Sequence, residues 1–484
     1  MREFKQPNRK QRLLFLDVDV DSLAPAGSPV RVIDELVEKL DTGAIETTYD
    51  LESPQGREPI HPKTFLKVAL YALHNCRFSL RKMEQDIKTN ILYQWLTGSV
   101  SIDHSTLGKF LSRFAEEIAE LFSQVVYICA EHDLIDFDVL AIDSVKIRAY
   151  ASHKQSKTKK GLEKELEKIK ARIKELIDKA IINKAEMEEF ETLSLRKMAF
   201  DGAIRKLEER IREKSKEKSE GEQDKIAEKE KINMTDHEAH IMQQRNGEKN
   251  PSYSITTATD TKNDILTAIQ INESDNDVEA LIPAMEKSEE NTGESHTTYC
   301  ADPAFSSMEN LESFDESNAD VLMPDRRMEV EQSGQTKKGR YDRSRFTYNR
   351  NENNYQCPAK KLLHYIREVR MNGRTYAVYE NSKACKVCKY RDDCTKGKSR
   401  KILRDSREDL KEKMRNKLKK KKNKTRYKKR AHAAESTYGH IKQNLKFRNT
   451  YRRGIEKIRM EFSLIGILHN GLKLTSCISA GGIE

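Results

Sequence analysis

Hydrophobic positions change their period several times along the chain. After His61-Pro62, apolar residues at Phe65, Val68, Ala69, Leu70 and Leu73 keep the spacing of one buried helical face. Leu80 to Leu96 continues it and holds the only tryptophan, Trp95. Asp103-His104-Ser105-Thr106 then precedes Leu107, Phe110, Leu111 and Phe114, and an Asp or Ser before such a run is a helix N-cap signal. Residues 30–130 are therefore predicted helical. Short helices joined by tight turns would form either a helix-turn-helix presenting Ser105, Lys109 and Arg113 to DNA, or a plain bundle.

The period shortens after Asp136. Val139 to Ile147 is a compact apolar run with one carboxylate, Asp143, in its middle; it suits a buried strand, where an unpaired acid is costly. A heptad stripe follows at Leu162, Leu166, Ile169, Ile173, Leu176 and Ala180, resuming at Phe200, Ile204, Leu207 and Ile211. Two antiparallel helices forming an arm over 155–232 are predicted, as a dimer contact, a strut along DNA or a solvated hairpin. Strand-like segments return at Tyr253–Thr259, Leu266–Ile271, Thr297–Ala301 and Ala319–Met323, with one amphipathic helix from Val278 to Met285. That order indicates a mixed α/β sheet. After Pro324 the chain is polar and reads as irregular to about 400, and 432–472 is amphipathic helix interrupted near Gly454.

Composition narrows the function class. The chain has 484 residues, too many for one ordinary core, with 36% apolar and 35% charged residues. No long uncharged apolar stretch occurs and residues 1–12 lack an apolar signal core, so a membrane protein is not expected and the location expected is cytoplasmic. The net charge is +11, and the segment Lys411 to Arg430 alone carries 13 Lys/Arg against one acid. That local surplus points to a polyanion such as nucleic acid.

Three acids stand in matching contexts. Asp143 lies in the first strand, Asp302 follows Thr297–Ala301 directly, and Glu435 opens a helical stretch after the basic run. Carboxylates converging there would form an oxygen-lined site for Mg²⁺, and a pair of such ions serves in-line phosphoryl transfer. Cys357, Cys385, Cys388 and Cys394 cluster in the polar region and suit a structural Zn²⁺ site, while Cys76, Cys129, Cys300 and Cys477 read as buried thiols. Asp236 and His237, in Met234-Thr235-Asp236-His237-Glu238-Ala239, read as a turn or cap.

Several of these segments together resemble the bacterial insertion-sequence transposases of the DDE class. Val139-Leu140-Ala141-Ile142-Asp143-Ser144 is similar to the strand carrying that family's first Asp, and Cys300-Ala301-Asp302-Pro303-Ala304-Phe305 to the segment carrying the second. Tyr427, Arg430, Glu435 and Lys442 are similar to its Y-x2-R-x3-E-x6-K signature, with four residues rather than three between Arg430 and Glu435. Tyr438-Gly439-His440-Ile441-Lys442 and Tyr451-Arg452-Arg453-Gly454 match its ending. The resemblance covers roughly 30–150 and 233–475.

It implies an α/β fold with an RNase H-like mixed sheet core. The helical N-terminal DNA-binding domain spans 1–130, and the first core strand lies in 136–154. A coiled-coil arm is inserted at 155–232 and the core continues over 233–325. A polar zinc-binding insertion with the basic run occupies 326–430, and the C-terminal catalytic helix region 431–475. It further implies metal-dependent cleavage at element ends and 3′-OH transfer into target DNA. Asp143, Asp302 and Glu435 would hold two Mg²⁺, with Mn²⁺ as a substitute. Tyr427, Arg430, Lys442 and Lys419, Lys420, Lys421 and Lys422 would contact double-stranded DNA. The working form would be a homodimer on DNA, associated with the bacterial nucleoid. Two alternatives stay open: a metal-dependent nuclease or resolvase on the same core, and a non-catalytic DNA-binding protein derived from a dead element.

Overall fold

The computed structural model describes residues 20–479 except 50–57, 180–182, 217–218, 245, 275–276, 318, 326–327, 329–340, 372–373 and 406. The chain forms two compact units: residues 20–207, 230–301 and 425–479 make the first, and 208–229 with 302–424 the second.

In the first unit the N-terminal helices follow the apolar pattern. Pro62–His74 starts at a proline, whose fixed φ suits a first helical turn, and buries Phe65, Val68, Ala69, Leu70 and Leu73. In His104–Arg113 the Asp103 carboxylate accepts from Ser105 N at 2.9 Å and Thr106 N at 2.8 Å, the N-cap expected from sequence. This helix crosses Leu80–Thr89 closely: a Cβ on Gly108 would stand 2.9 Å from Leu80 Cδ1, and the His104 ring meets Glu84 at 2.6 Å. Ser105, Lys109 and Arg113 are exposed, so the outward face presents the residues expected to meet a partner.

The long helix Ile455–Ser479 joins these helices to the sheet. Its Gly466 lies so close to Phe122 that an added Cβ would come within 2.5 Å of that ring and 2.7 Å of Ile269 Cδ1. Only glycine fits there. One continuous apolar core results, running from Val30 and Phe65 through Phe122 to Ile265, Phe462 and Leu468. The helical run ends at Asn444, ahead of the interruption expected near Gly454, and Gly454, at φ +89°, directly precedes this helix.

The strands are β1 (Val139–Arg148), β2 (Ser156–Thr158), β3 (Lys231–Asn233), β4 (His240–Gln243), β5 (Lys249–Asp260), β6 (Ile265–Asn272) and β7 (Thr298–Ala301). β1 pairs antiparallel with β5, β5 pairs antiparallel with both β4 and β6, and β7 runs parallel to β1. The mixed sheet follows the alternation read from the sequence. The short β4 was not foreseen, because four residues carry too little alternation to separate from a loop.

Corrections come from the segments without one-sided patterning. Among the described residues, the segment expected to form two helices holds three, Lys159–Ile177, Lys184–Ser215 and Glu220–Lys229, the last in the second unit. Of the heptad positions, Leu162, Leu166, Ile169, Leu176, Phe200 and Leu207 are buried while Ile173, Ile204 and Ile211 are only half-buried; Ala180 lies outside the described residues. Arg172 Nε pairs with Glu189 at 2.8 Å, which sets the first two helices side by side. Cys76 and Cys477 are half-buried, whereas Cys129 and Cys300 are buried as expected.

In the second unit, the described residues of the stretch expected to be irregular form regular elements from Arg343 onward. After helix Met308–Ser317 and β8 (Val321–Leu322) come β9 (Thr347–Asn349), β10 (Asn354–Gln356), β11 (Leu362–Met371), β12 (Arg374–Glu380) and β13 (Lys401–Asp405), then helix Glu408–Lys419. Strands β9 to β13 form an antiparallel sheet in the order β13-β12-β11-β10-β9. Its core is small: Phe346, Tyr355, Leu363, Tyr379 and Ile402. Most of β11 is exposed, so no period-two signal marks it in the sequence.

Candidate active site

β1 is buried from Val139 to Ile142 and opens at Asp143, whose side chain is 24% exposed. The last registered pair between β1 and β7 is Ile142↔Ala301. Asp143 is the next residue on one strand, and Asp302 is bonded to the last residue of the other. Each acid thus follows a buried parallel run at the point where pairing ends. Asp143 Oδ1 accepts from Ser144 N at 2.9 Å. Asp302 caps the short turn Pro303–Phe305 and accepts from Ala304 N at 2.9 Å.

The helix Lys421–Gly439 carries Glu435 and is tied to the same two strands along its length. Arg426 donates to Asp138 Oδ1 at 2.6 Å and to Thr298 Oγ1 at 2.8 Å, where β1 and β7 begin. Lys429 reaches Asp138 Oδ2 at 3.0 Å. The Tyr427 hydroxyl meets the Ala301 carbonyl at 3.4 Å, and Arg430 Nη1 lies 3.6 Å from Asp143 Oδ2. Farther along, the Tyr438 hydroxyl donates to the Asp143 carbonyl at 2.9 Å and sits 2.9 Å from Thr257 Oγ1. Ala433, Ala434 and Thr437 are buried, which lets the helix approach the sheet. Glu435 is exposed on the flank of that buried face, three residues before Tyr438.

Charge around Asp143 is arranged by these contacts. Burial pushes the Tyr438 phenol well above its ordinary range and the nearby Asp143 charge adds to this, so it stays a neutral donor. Burial also pushes the Asp138 carboxyl up, yet Lys429 and Arg426 outweigh it and hold that carboxyl below its ordinary value. Arg430, expected from the signature to contact DNA, points to Asp143 and stacks 5.3 Å over the Tyr427 ring. Lys442 does not continue a regular helix from Glu435, because the chain turns into a π-helical segment, His440–Asn444, after Gly439. The seven-residue spacing therefore no longer fixes Lys442 on the face of Glu435.

Sequence reasoning passed over Arg426, Asp138 and Tyr438. Two of them adjoin quoted motifs: Arg426 precedes Tyr427, and Asp138 precedes the first strand. Tyr438 stands within the quoted ending, where no role was given to it. Asp236 and Glu238 serve the frame. Both Asp236 carboxylate oxygens accept from the Tyr253 hydroxyl at 2.8 Å, and Glu238 Oε2 accepts from Ile455 N at 2.7 Å at the start of the last helix.

The basic run is partly neutralised. In the second unit Lys413 pairs with Asp315 at 3.0 Å, Arg415 with Asp325 at 2.5 Å and Lys417 with Asp320 at 2.7 Å. With Arg426, Lys429 and Arg430 occupied in the first unit, the run offers fewer cations than its composition indicates. Lys419, Lys420, Lys421 and Lys422 are exposed.

Cys357, Cys385, Cys388 and Cys394 line one cavity of about 30 Å³ in the second unit, room for a single atom-sized occupant. Cys388 N donates to the Cys385 carbonyl at 3.2 Å, which folds the pair into a tight turn, and Lys361 N donates to Cys357 Sγ at 3.3 Å. Burial pushes the Cys394 thiol up; Arg400 pulls it back, and the other three thiols push it further. Among the described residues no group of three or more His, Cys, Asp or Glu side chains stands as a ready-made metal site. Also among them, no helix is long and apolar enough to cross a membrane.

Comparison with known proteins covers both ends of the chain. A family model described as a transposase DDE domain matches residues 356–475, which include the four cysteines, Tyr427, Arg430, Glu435 and Lys442. A model described as a transposase domain (DUF772) matches residues 18–113, the N-terminal helices up to Arg113. No curated protein and no solved structure matches the chain. One transposase model over the N-terminal helices and a second over the stretch that carries Glu435 together support an insertion-sequence transposase of the DDE class.

Proposed function

We propose that the chain cuts DNA at the ends of its own mobile element and joins the freed 3′-OH to target DNA, with Asp143, Asp302 and Glu435 as the catalytic acids. The observation that carries this reading is the Ile142↔Ala301 register, which leaves two carboxylates at matching positions just past a parallel strand pair. A mixed sheet of this kind fits the RNase H-like core that the resemblance implies. Three carboxylates are hard oxygen donors suited to Mg²⁺, or Mn²⁺ in its place. When bound, two such ions activate the attacking oxygen and stabilise the leaving one in an in-line displacement.

The chain's own residues set up that reaction. Tyr438 fixes the backbone of Asp143, Arg430 orients its carboxylate, and Arg426 with Lys429 pins the helix that presents Glu435. Tyr427 and Lys442 would flank the DNA, with Lys419, Lys420, Lys421 and Lys422 on its phosphates. The four thiols are soft donors round one small cavity and fit a structural Zn²⁺ that would brace a sheet with little core. Exposed Leu195 (69%) and Met198 (70%) on the arm offer an apolar face to a second copy, in keeping with a homodimer working on nucleoid DNA.

The test uses duplex DNA bearing the element's terminal sequence. Wild-type protein with Mg²⁺ cleaves it and also joins pre-cleaved ends to a target; Asp143→Asn does neither. Cutting without joining would instead mark a nuclease or resolvase. Binding with neither reaction would mark a protein left by a dead element.

A further inference from the structure

We propose that the polar cavity beside Asp302 in the second unit seats one nucleotide of the DNA strand next to the phosphate being cleaved. It has a volume of about 470 Å³, within the range of roughly 300–1,000 Å³ typical of small-molecule sites. One wall is the turn Pro303, Ala304 and Ser306, bonded directly to Asp302. That wall is held firmly: Phe305 is fully buried, and Asn310 Nδ2 donates to the Phe305 carbonyl at 2.9 Å.

The facing wall is cationic. Lys411 and Arg415 stand one turn apart on helix Glu408–Lys419, and Arg343 completes the lining. Two carboxylates also line the cavity, and each is paired. Asp325 holds Arg415 at 2.5 Å, and Glu408 lies 3.5 Å from Arg343. A guanidinium has five N–H donors in a rigid fork, and a carboxylate occupies only some of them. The acids therefore aim the two arginines without exhausting them, and Lys411 leaves the site with net positive charge. A phosphodiester with its sugar matches this lining in sign, hydrogen bonding and size. That the guest is the strand under cleavage rests on the catalytic reading of Asp302; that it is DNA rests on the cavity.

The experiment measures binding of a pre-cleaved duplex with the element's terminal sequence by fluorescence anisotropy over a range of salt. Lys411→Glu and Lys411→Gln are compared with wild type, Lys411→Arg and Asp302→Asn, and thermal unfolding verifies that each variant folds. Expected are several-fold weaker binding for Lys411→Glu and Lys411→Gln, with the slope of log K against log salt reduced by about one, and near wild-type binding for Lys411→Arg. Unchanged affinity and slope in a folded Lys411→Glu or Lys411→Gln would overturn the cavity assignment. Cleavage retained by Asp302→Asn would instead remove the catalytic reading, and the Lys411 result would still decide whether the cavity holds DNA.

Discussion

Arg430 Nη1 stands 3.6 Å from Asp143 Oδ2, and both side chains are largely withdrawn from water, 12% and 24% exposed. A fixed cation beside the first candidate acid compensates its charge and repels any metal ion drawn to it. Arg430→Gln is expected to lower the Mg²⁺ concentration needed for half-maximal cleavage, because a competing positive charge is gone. A metal titration of cleavage rate checks this; an unchanged midpoint would mean that Arg430 acts elsewhere.

Removing a carboxylate should separate chemistry from binding. Asp143→Asn, Asp302→Asn and Glu435→Gln are each expected to slow cleavage by at least about a hundredfold, since even outer partners of a metal site cost roughly 10–100-fold. Duplex affinity measured in parallel should stay within a few-fold of wild type. A variant that cleaves normally drops that residue from the site.

The ion-paired and the exposed parts of the basic run should behave differently. Neutralising exposed Lys419, Lys420, Lys422 and Lys424 to Gln should flatten the salt dependence of DNA binding, by close to one unit of slope for each phosphate that is no longer neutralised. Neutralising Lys413 and Lys417, which lie outside the cavity beside Asp302, removes partners of Asp315 and Asp320, so its expected effect is a lower melting temperature. Salt titrations and thermal melts of both sets tell these apart.

Metal analysis tests the cysteine cavity. Purified protein is expected to contain about one zinc per chain, lost in Cys385→Ser/Cys388→Ser together with part of the thermal stability. Zinc retained by the double variant would exclude these thiols as ligands.

Acid should weaken the first unit through His469. Burial lowers its imidazole from 6.5 to about 4, while its ring nitrogen is hydrogen-bonded to the Asp264 carbonyl at 2.8 Å. A depressed folded value means that stability is fully present above about pH 6.5. It is lost as pH falls towards 4, because only the unfolded chain takes up the proton; the loss is on the order of 3 kcal/mol. Urea unfolding at stepped pH should show this decline, and His469→Gln should flatten it.

The sequence by itself determined the elements with one-sided patterning. The helix from Pro62, the cap at Asp103, the strand carrying Asp143 and the burial of Leu162, Leu166, Ile169 and Leu176 were all legible, because burial of one face imposes a period on neighbouring residues. The three acids and the four cysteines were legible as types, since spacing carries chemical identity. Only the tertiary structure decided their surroundings. Nothing along the chain couples Ile142 to Ala301, Arg430 to Asp143 or Tyr438 to Thr257, for those pairs are set by strand register and by how a helix lies on a sheet. The sheet β9 to β13 was hidden for a related reason. Its strands are held by hydrogen bonds between backbones with most of one long strand facing water, and backbone pairing leaves no mark on which side chains a strand carries.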